Sequence, residues 1–548
     1  MIRDAHELPE GRTIEADVCI VGSGAAGITL AKELSRRSVD VCIISGGALE
    51  YDENIQDLYD AHTSGDAYLS PLENRRRQLG GTSNMWVVKL PGGRVGLRLS
   101  KFDALDFEQR DWVPHSGWPI SMSDLEPFYQ RAQSVWELPA SGYDTDTWAT
   151  PDASPLPVES ELAETIIFQF AEKAIFDDVA RNGLDREERI EVWLNAHGTE
   201  LIGERGVERL RCKTTSGGSF DVKARAYVVA AGAIESTRIL LAANGARGIG
   251  TGDALGRYYM DHLLVSSGHF VPASDDLYSQ MALYDLRSVR GTPIQAALSF
   301  SEAAQRDQRL LNAQICLMPQ PDYPRLEALI AFKQLLESAV ERNFSAQMFG
   351  DLRKALTRPG HVAMAFYDNI TKNVSFAQGY GKGGWSSLGR PARRYERFEL
   401  MMVSEQAPDP DNRITLDPER DALGMPVAHI HWKKGRETLE AMARGRTVIK
   451  RALDGTGLGT VDLERGSDFM SATHPQGTAH NIGGTRMHED PSRGVVDANC
   501  KVHGIDNLFV ASSSVFPTGS HANPTLTIVA LSVRLGDHLL ESSGLLES

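Results

Sequence analysis

Cysteine is scarce in this chain: five in 548 residues, Cys19, Cys42, Cys212, Cys316 and Cys500, with no CxxC or zinc-ligand spacing among them. An odd number cannot close into a full disulfide framework. Cys19 and Cys42 lie in apolar runs, where a thiol acts as a small hydrophobe. A reduced, cytoplasmic protein without a metal site is expected. Long apolar runs are missing too, and no stretch approaches the ~20 residues a membrane-spanning helix needs. No membrane span is expected. The first residues, MIRDAHELPEGRTIEADV, mix charges of both signs and contain no apolar segment, so no secretory signal is expected. Arg36-Arg37 falls inside a predicted helix and is not a twin-arginine signal. Basic residues are outnumbered, 57 Lys and Arg against 73 Asp and Glu, for a net charge of −16. This argues against a nucleic-acid partner, because basic faces gather phosphates. It favours neutral or cationic small molecules only weakly.

What is present is enough apolar side chain, 41% of residues, to fill two cores. Residues 17–22 (DVCIVG) read as a buried parallel strand that breaks into glycines. Residues 25–37 have a helical pattern and 39–45 (VDVCIIS) form a second strand. Strand, glycine turn, helix, strand opens a doubly wound α/β layer. Residues 226–243 (AYVVAAGAIESTRILLAA) repeat that logic, and 192–222 read as a small antiparallel meander. A strand at 508–511 and a helix from about 524 to 540 close the pattern. Between 266 and 465 the texture changes to scattered strands and helical stretches, including 327–356. Within it, 378–394 (QGYGKGGWSSLGRPARR) reads as a mobile loop near a substrate entrance or a subunit contact.

Gly22, Gly24 and Gly27 spell GxGxxG at the strand-to-helix turn. The first permits the turn, the second lets backbone approach a pyrophosphate, and the third lets helix and strand pack closely. The helix N-terminus then offers unpaired N–H groups to phosphate. At the end of the second strand, where a carboxylate would hold an adenosine ribose, Ser45 stands instead, with Glu50 nearby as a substitute.

Several further motifs resemble the glucose–methanol–choline (GMC) oxidoreductases, especially the bacterial branch of pyranose and glycoside oxidases. Residues 75–86 (RRRQLGGTSNMW) resemble the loop that wraps the flavin, and 111–129 (DWVPHSGWPISMSDLEPFY) the segment after it. Residues 229–241 (VAAGAIESTRILL) and 255–262 (LGRYYMDH) resemble an adenine-side stretch. HNIGGTRM at 480–487, continuing through 494–527, matches most strongly. Glu405-Gln406 followed by Asn412-Arg413 is similar to the substrate-domain strands, and loosely so.

The resemblance implies an α/β fold: a Rossmann-type FAD-binding domain (1–130, 190–265 and 466–548) interleaved with an α+β substrate domain (266–465) on an antiparallel sheet. It implies a non-covalent FAD site at Gly22, Gly24, Ala25, Gly27 and Ser45 and at Arg77, Gly81, Thr82, Asn84 and Met85. His197, Ala231, Ser512, Ser513, Pro524 and Thr525 complete that site. Relatives that bind flavin covalently do so through a histidine where Met85 stands here. Gln406 is the implied substrate contact.

The implied catalytic pair is His480, as base, and Asn523. A neutral histidine accepts a hydroxyl proton near working pH, and an amide N–H holds the oxygen as negative charge grows on it. Bland roles stand beside these. Asn523 before Pro524 is also an N-cap signature, His480 also suits a core position, and His521 rivals Asn523. Pyranose oxidases carry asparagine where many relatives carry a second histidine, which favours oxidation of a sugar or glycoside hydroxyl. A non-sugar alcohol is the alternative, and a lyase that keeps FAD for structure is a third reading. The electron acceptor is open among oxygen, quinones and protein carriers.

Overall fold

Thr13–Val21 runs through the middle of an eight-stranded sheet, and its residues Val18, Cys19 and Ile20 are fully buried. Consecutive buried residues mean that both faces are covered, as parallel sheets require. A computed structural model describes the chain apart from residues 86–87, 91–92, 140–141 and 248–251, most of 321–382, and 389–394, 464–475 and 543–548. In that sheet Ile2–Asp4, Ile190–Leu194, Val41–Ile44, Thr13–Val21 and Ser219–Val229 lie parallel in this order. Leu508–Val510 also joins Ser219–Val229 in parallel, so the last strand of the chain returns beside the first glycine turn. Arg209–Lys213 and His197–Ile202 extend the edge in antiparallel fashion.

The meander expected over 192–222 therefore starts later. Ile190–Leu194 belongs to the parallel layer, and the chain turns at Asn195, whose φ of 56° suits a residue tolerant of left-handed backbone. The antiparallel part is His197–Ile202, Arg209–Lys213 and Ser219–Val229.

The second sheet has ten strands. Its main path runs Gly459–Asp462, Leu263–Pro272, Arg397–Ser404, Ala313–Gln320, Thr292–Phe300, Ala163–Glu172, Val95–Leu99 and Val88–Lys89, all antiparallel. Three of these strands, at 88–89, 95–99 and 163–172, come from outside residues 266–465. Ala61–Gly65 joins Pro426–Trp432 and Arg413–Arg420 in a smaller sheet. Buried apolar side chains gather in two large clusters, one around each main sheet. Helices Ala25–Ser35 and Thr525–Ser542 pack on one another, which brings both chain-terminal regions to the same place.

Of the stretch 378–394, residues 383–388 are described, and they are pinned rather than loose. The Asp285 carboxylate accepts from the backbone N–H of Gly384 and of Ser386, and Trp385 is buried. The rest of that stretch, and most of the helix expected over 327–356, lies outside the described residues.

A buried ion pair joins the segment after residues 104–107 to the end of the Arg397–Ser404 strand. Arg110 and Glu405 are both fully buried, with Nη1 at 2.5 Å from Oε1 and Nη2 at 3.0 Å from Oε2. The same carboxylate accepts from the backbone N–H of Asn312 at 2.9 Å and of Ser520 at 3.3 Å. Burial alone would favour the neutral acid, but Arg110 more than offsets it and the Glu405 carboxyl stays below its ordinary range. Removing one partner strands the other charge. Arg110→Met should lower unfolding free energy by about 3–5 kcal/mol in urea titrations, whereas a change under 1 kcal/mol would mean that the pair carries little.

Candidate active site

At the end of Thr13–Val21 the chain turns through Gly22, with φ of 117°. A Cβ there would sit 2.4 Å from the Ala230 carbonyl oxygen, so no other residue fits. Gly24 is different. A Cβ on it would meet nothing within 4 Å, because it faces a cavity of about 420 Å³. Helix Ala25–Ser35 begins next, and no side chain caps its N-terminus. Its first N–H groups therefore remain available to an anion.

Most of the expected cofactor residues line this one cavity. Gly22, Gly24 and Ala25 lie on one wall, Arg77, Gly81, Thr82 and Met85 come from the wrapping loop, and His197 and Ala231 come from the first sheet. Ser512, Ser513, Pro524 and Thr525 enter from the C-terminal stretch, together with His480 and Asn523.

Three expected contacts do not line it. Gly27 packs against the Gly22 carbonyl, 2.0 Å from where its Cβ would be. Asn84 shapes the loop by donating Nδ2 to the carbonyls of Leu79 and Gly81. Ser45 is buried, its hydroxyl 2.7 Å from that of Ser23, and it is unavailable to a ribose. Glu50 is no substitute, since it is exposed and bonded to Arg181.

The cavity fits an extended dinucleotide. Beside Gly46, Arg77 donates to His197 Nδ1 at 2.9 Å. Burial, with Arg77 adding to it, holds His197 neutral, so its proton sits on Nε2. That N–H is buried without a partner among the described residues, as are both amide atoms of Asn74 on the same wall. Unpaired buried donors at the lining of a cavity are what a polar ligand would satisfy. Asn74 was not legible in the sequence, because nothing in its local pattern marks it.

His480 and Asn523 meet although 43 positions apart: Asn523 Nδ2 lies 3.1 Å from His480 Nε2. The His480 ring is partly open to the cavity. Its pKa is held well below the ordinary histidine range by burial first, then by His262 and Arg98. Its backbone N–H donates to Asp261 Oδ1 at 2.9 Å. Asp261 also accepts from the Tyr68 hydroxyl, the Thr478 hydroxyl and the Ala479 N–H, and burial lifts its pKa to about 6.

Asp261, His262 and Thr478 were missed as site residues. Their only signal was that 261–262 end the LGRYYMDH motif. His521, the rival to Asn523, turns away, with Nδ1 3.1 Å from Asp103 Oδ2. Burial depresses its pKa, but the Asp103 carboxylate reverses the sign and raises it. His488 and His503 sit together at a distant turn, and His474 lies outside the described residues.

Gln406 is a correction. It is 1% exposed, its Oε1 accepts from Asp261 N–H and Trp432 Nε1–H, and its Nε2 donates to the Lys433 carbonyl. Buried in this way it supports Asp261 from beneath and does not line the cavity.

The two glycines separate folding from binding. Gly22→Ala should destabilise the protein by more than the ~1–3 kcal/mol of unfavourable backbone alone. Gly24→Val should melt normally yet lose flavin affinity by about tenfold or more, each tenfold being ~1.4 kcal/mol. Flavin-to-protein absorbance ratios and thermal melts read the two effects apart. A Gly24→Val protein with full flavin content would show that the phosphates lie elsewhere.

Residues 408–532 match the family model for the GMC oxidoreductase C-terminal domain. A stretch of 161 residues is 30% identical to 6'''-hydroxyparomomycin C oxidase of Streptomyces lividus, covering 28% of each chain. Local matches of this kind span 24–28% of the relatives' lengths. Paromamine 6'-oxidase of Streptomyces fradiae is 24% identical over 94% of this chain and 90% of its own. The fold is that of formate oxidase, with a TM-score of 0.53 and 16% identity over 98% of this chain and all of the other. On these matches residues 408–532 are similar to the GMC oxidoreductase C-terminal domain, and the cavity that they share with the glycine turn has a lining that suits FAD.

Proposed function

We propose that this protein oxidises a ring hydroxyl of a sugar or glycoside to the ketone. The carrying observation is that one cavity joins the glycine turn at Gly22–Gly24 to His480 and Asn523, whose side chains meet at 3.1 Å. The resemblance to two oxidases whose names place them on paromamine-type substrates supports the sugar class. So does asparagine, rather than a second histidine, at 523.

FAD, when bound, supplies the acceptor for the hydride that leaves the alcohol carbon. The rest is done by side chains. The substrate hydroxyl enters from the cavity in place of the 3.1 Å contact between Asn523 Nδ2 and His480 Nε2, giving its proton to the imidazole and accepting from the amide. His480 starts neutral because its burial disfavours the charged ring. Asn523 stabilises the oxygen as it becomes alkoxide-like and adds no competing charge. The N-terminal end of helix Thr525–Ser542, which opens on the cavity, favours negative charge on the bound flavin.

The flavin is held by stretches 1–130, 190–265 and 466–548, and the substrate by 266–465 with the strands at 88–99 and 163–172. All five cysteines are free and buried, which supports a cytoplasmic location. No helix among the described residues is long and apolar enough to cross a membrane.

Anaerobic mixing with monosaccharides, glycosides and simple alcohols tests the reading, because a true substrate bleaches the flavin band. His480→Ala should keep FAD yet slow bleaching by about 10²–10⁴-fold, the scale of general-base catalysis. Asn523→Asp should be slower than Asn523→Ala, whereas a pure helix cap would tolerate Asp. In the wild type the acid limb of the rate should fall below pH 6.5, since His480 must gain a proton to lose activity and its pKa is depressed. Bleaching by simple alcohols alone would remove the sugar assignment, and normal rates in His480→Ala would remove the base.

FAD is bound without a covalent link. The loop over the flavin presents Met85, a thioether that forms no stable flavin bond, and no cysteine stands among the described residues of the cavity wall. Acid precipitation should leave a yellow supernatant and a colourless pellet. Flavin mass retained on the denatured chain would refute this.

A further inference from the structure

His262 immediately precedes the strand Leu263–Pro272 and is fully buried behind His480. Its Nε2 lies 3.0 Å from the Gly519 carbonyl oxygen. A carbonyl only accepts, so Nε2 carries the hydrogen. Burial pushes the ring's pKa down to about 4, so near neutral pH there is no second proton and Nδ1 is a bare lone pair. That lone pair lies 2.9 Å from His480 Nδ1. Two lone pairs at this distance would repel, so His480 Nδ1 must donate.

A second neighbour leads to the same assignment. Thr478 Oγ1 is also 2.9 Å from His480 Nδ1. Its hydrogen goes to Asp261 Oδ1 at 3.2 Å, which leaves an oxygen lone pair for the imidazole. A third observation comes from the opposite side of the ring. His480 Nε2 faces Asn523 Nδ2, a group that can only donate. The amide orientation and the two Nδ1 contacts all require one tautomer.

We propose that His262 and Thr478 are positioning residues that hold His480 in its Nδ1–H tautomer, so that the basic Nε2 lone pair faces the cavity. This rests on the reading of His480 as base. A neutral imidazole suits the task better than a carboxylate would. It orients the ring as an acceptor yet adds no negative charge that would favour the imidazolium and blunt the base before substrate arrives. Asp261 acts one bond further out, through the Thr478 hydroxyl and the His480 backbone N–H. The other charged group acting on His480 is Arg98, which repels a proton on the ring.

The test uses FAD-bound protein labelled with ¹⁵N in its histidine rings. Long-range ¹H–¹⁵N correlation reports which ring nitrogen carries hydrogen, and the His480 signal is identified by its loss in His480→Ala. Wild type should show His480 protonated at Nδ1. The double variant His262→Leu/Thr478→Val should shift it towards Nε2–H and slow anaerobic flavin reduction by about 10²-fold, with flavin content and substrate affinity unchanged. His262→Asn, whose Oδ1 can accept where Nδ1 did, should restore the Nδ1–H signal and most of the rate. An Nε2–H signal for His480 in the wild type would overturn the proposal, a result that needs no variant to fold. So would a double variant that keeps Nδ1–H and the wild-type rate. Normal reduction in His480→Ala would instead remove the base assignment and leave the tautomer measurement standing, so the two failures are distinguishable.

Discussion

The reactive region depends on buried carboxylates that hold backbone N–H groups. Ala479, just before His480, and Ser520, just before the stretch that carries Asn523, both have left-handed backbone, with φ of 63° and 60°. Such non-glycine positions cost about 1–3 kcal/mol each and persist only where the surroundings enforce them. Asp261 accepts from Ala479 and His480, and Glu405 accepts from Ser520. Each carboxylate is itself secured by the antiparallel sheet: Asp261 precedes one strand of it and Glu405 follows another. The antiparallel sheet therefore also sets the backbone beside His480 and Asn523, which meet at 3.1 Å.

Burial does opposite things to acids and bases in this region, and both suit the chemistry. Taking Asp261 out of water raises its pKa, and four donors keep it usable as an acceptor. Taking His262 and His480 out of water lowers theirs, so both rings stay neutral. The proposed base, His480, is thus surrounded by groups that resist adding a proton to it. Arg98 works in the same direction, since a fixed cation disfavours a second one nearby.

At the cofactor end the usual acidic residue at the end of the second parallel strand is absent. Ser45 is turned inward onto Ser23, and the space beside Gly46 is taken by Arg77 and His197. A buried cluster of Arg75, Arg77, Glu235 and Arg238 stands behind them. Where a carboxylate acceptor would stand, the lining thus carries Arg77 and a neutral His197.

Local pattern was enough for the parallel layer, because consecutive buried apolar residues and a GxGxxG turn are short-range features: 17–22, 39–45 and 508–511 each overlap an observed strand. Local pattern misread 192–194 as part of a meander, since alternation does not say which neighbour a strand will pair with. The family resemblance pointed to Gln406 as a substrate contact, whereas the tertiary structure turns both amide atoms onto Trp432, Asp261 and Lys433. The residue types of the site, a histidine in HNIGGTRM and an asparagine before a proline-led helix, were legible from motif alone. Their meeting at 3.1 Å, and the lone pair of His262 behind them, were not. Hydrogen-bond direction is set by what lies opposite each nitrogen, and those partners are brought in from positions 218 and 43 residues away by the closing of two sheets around one cavity.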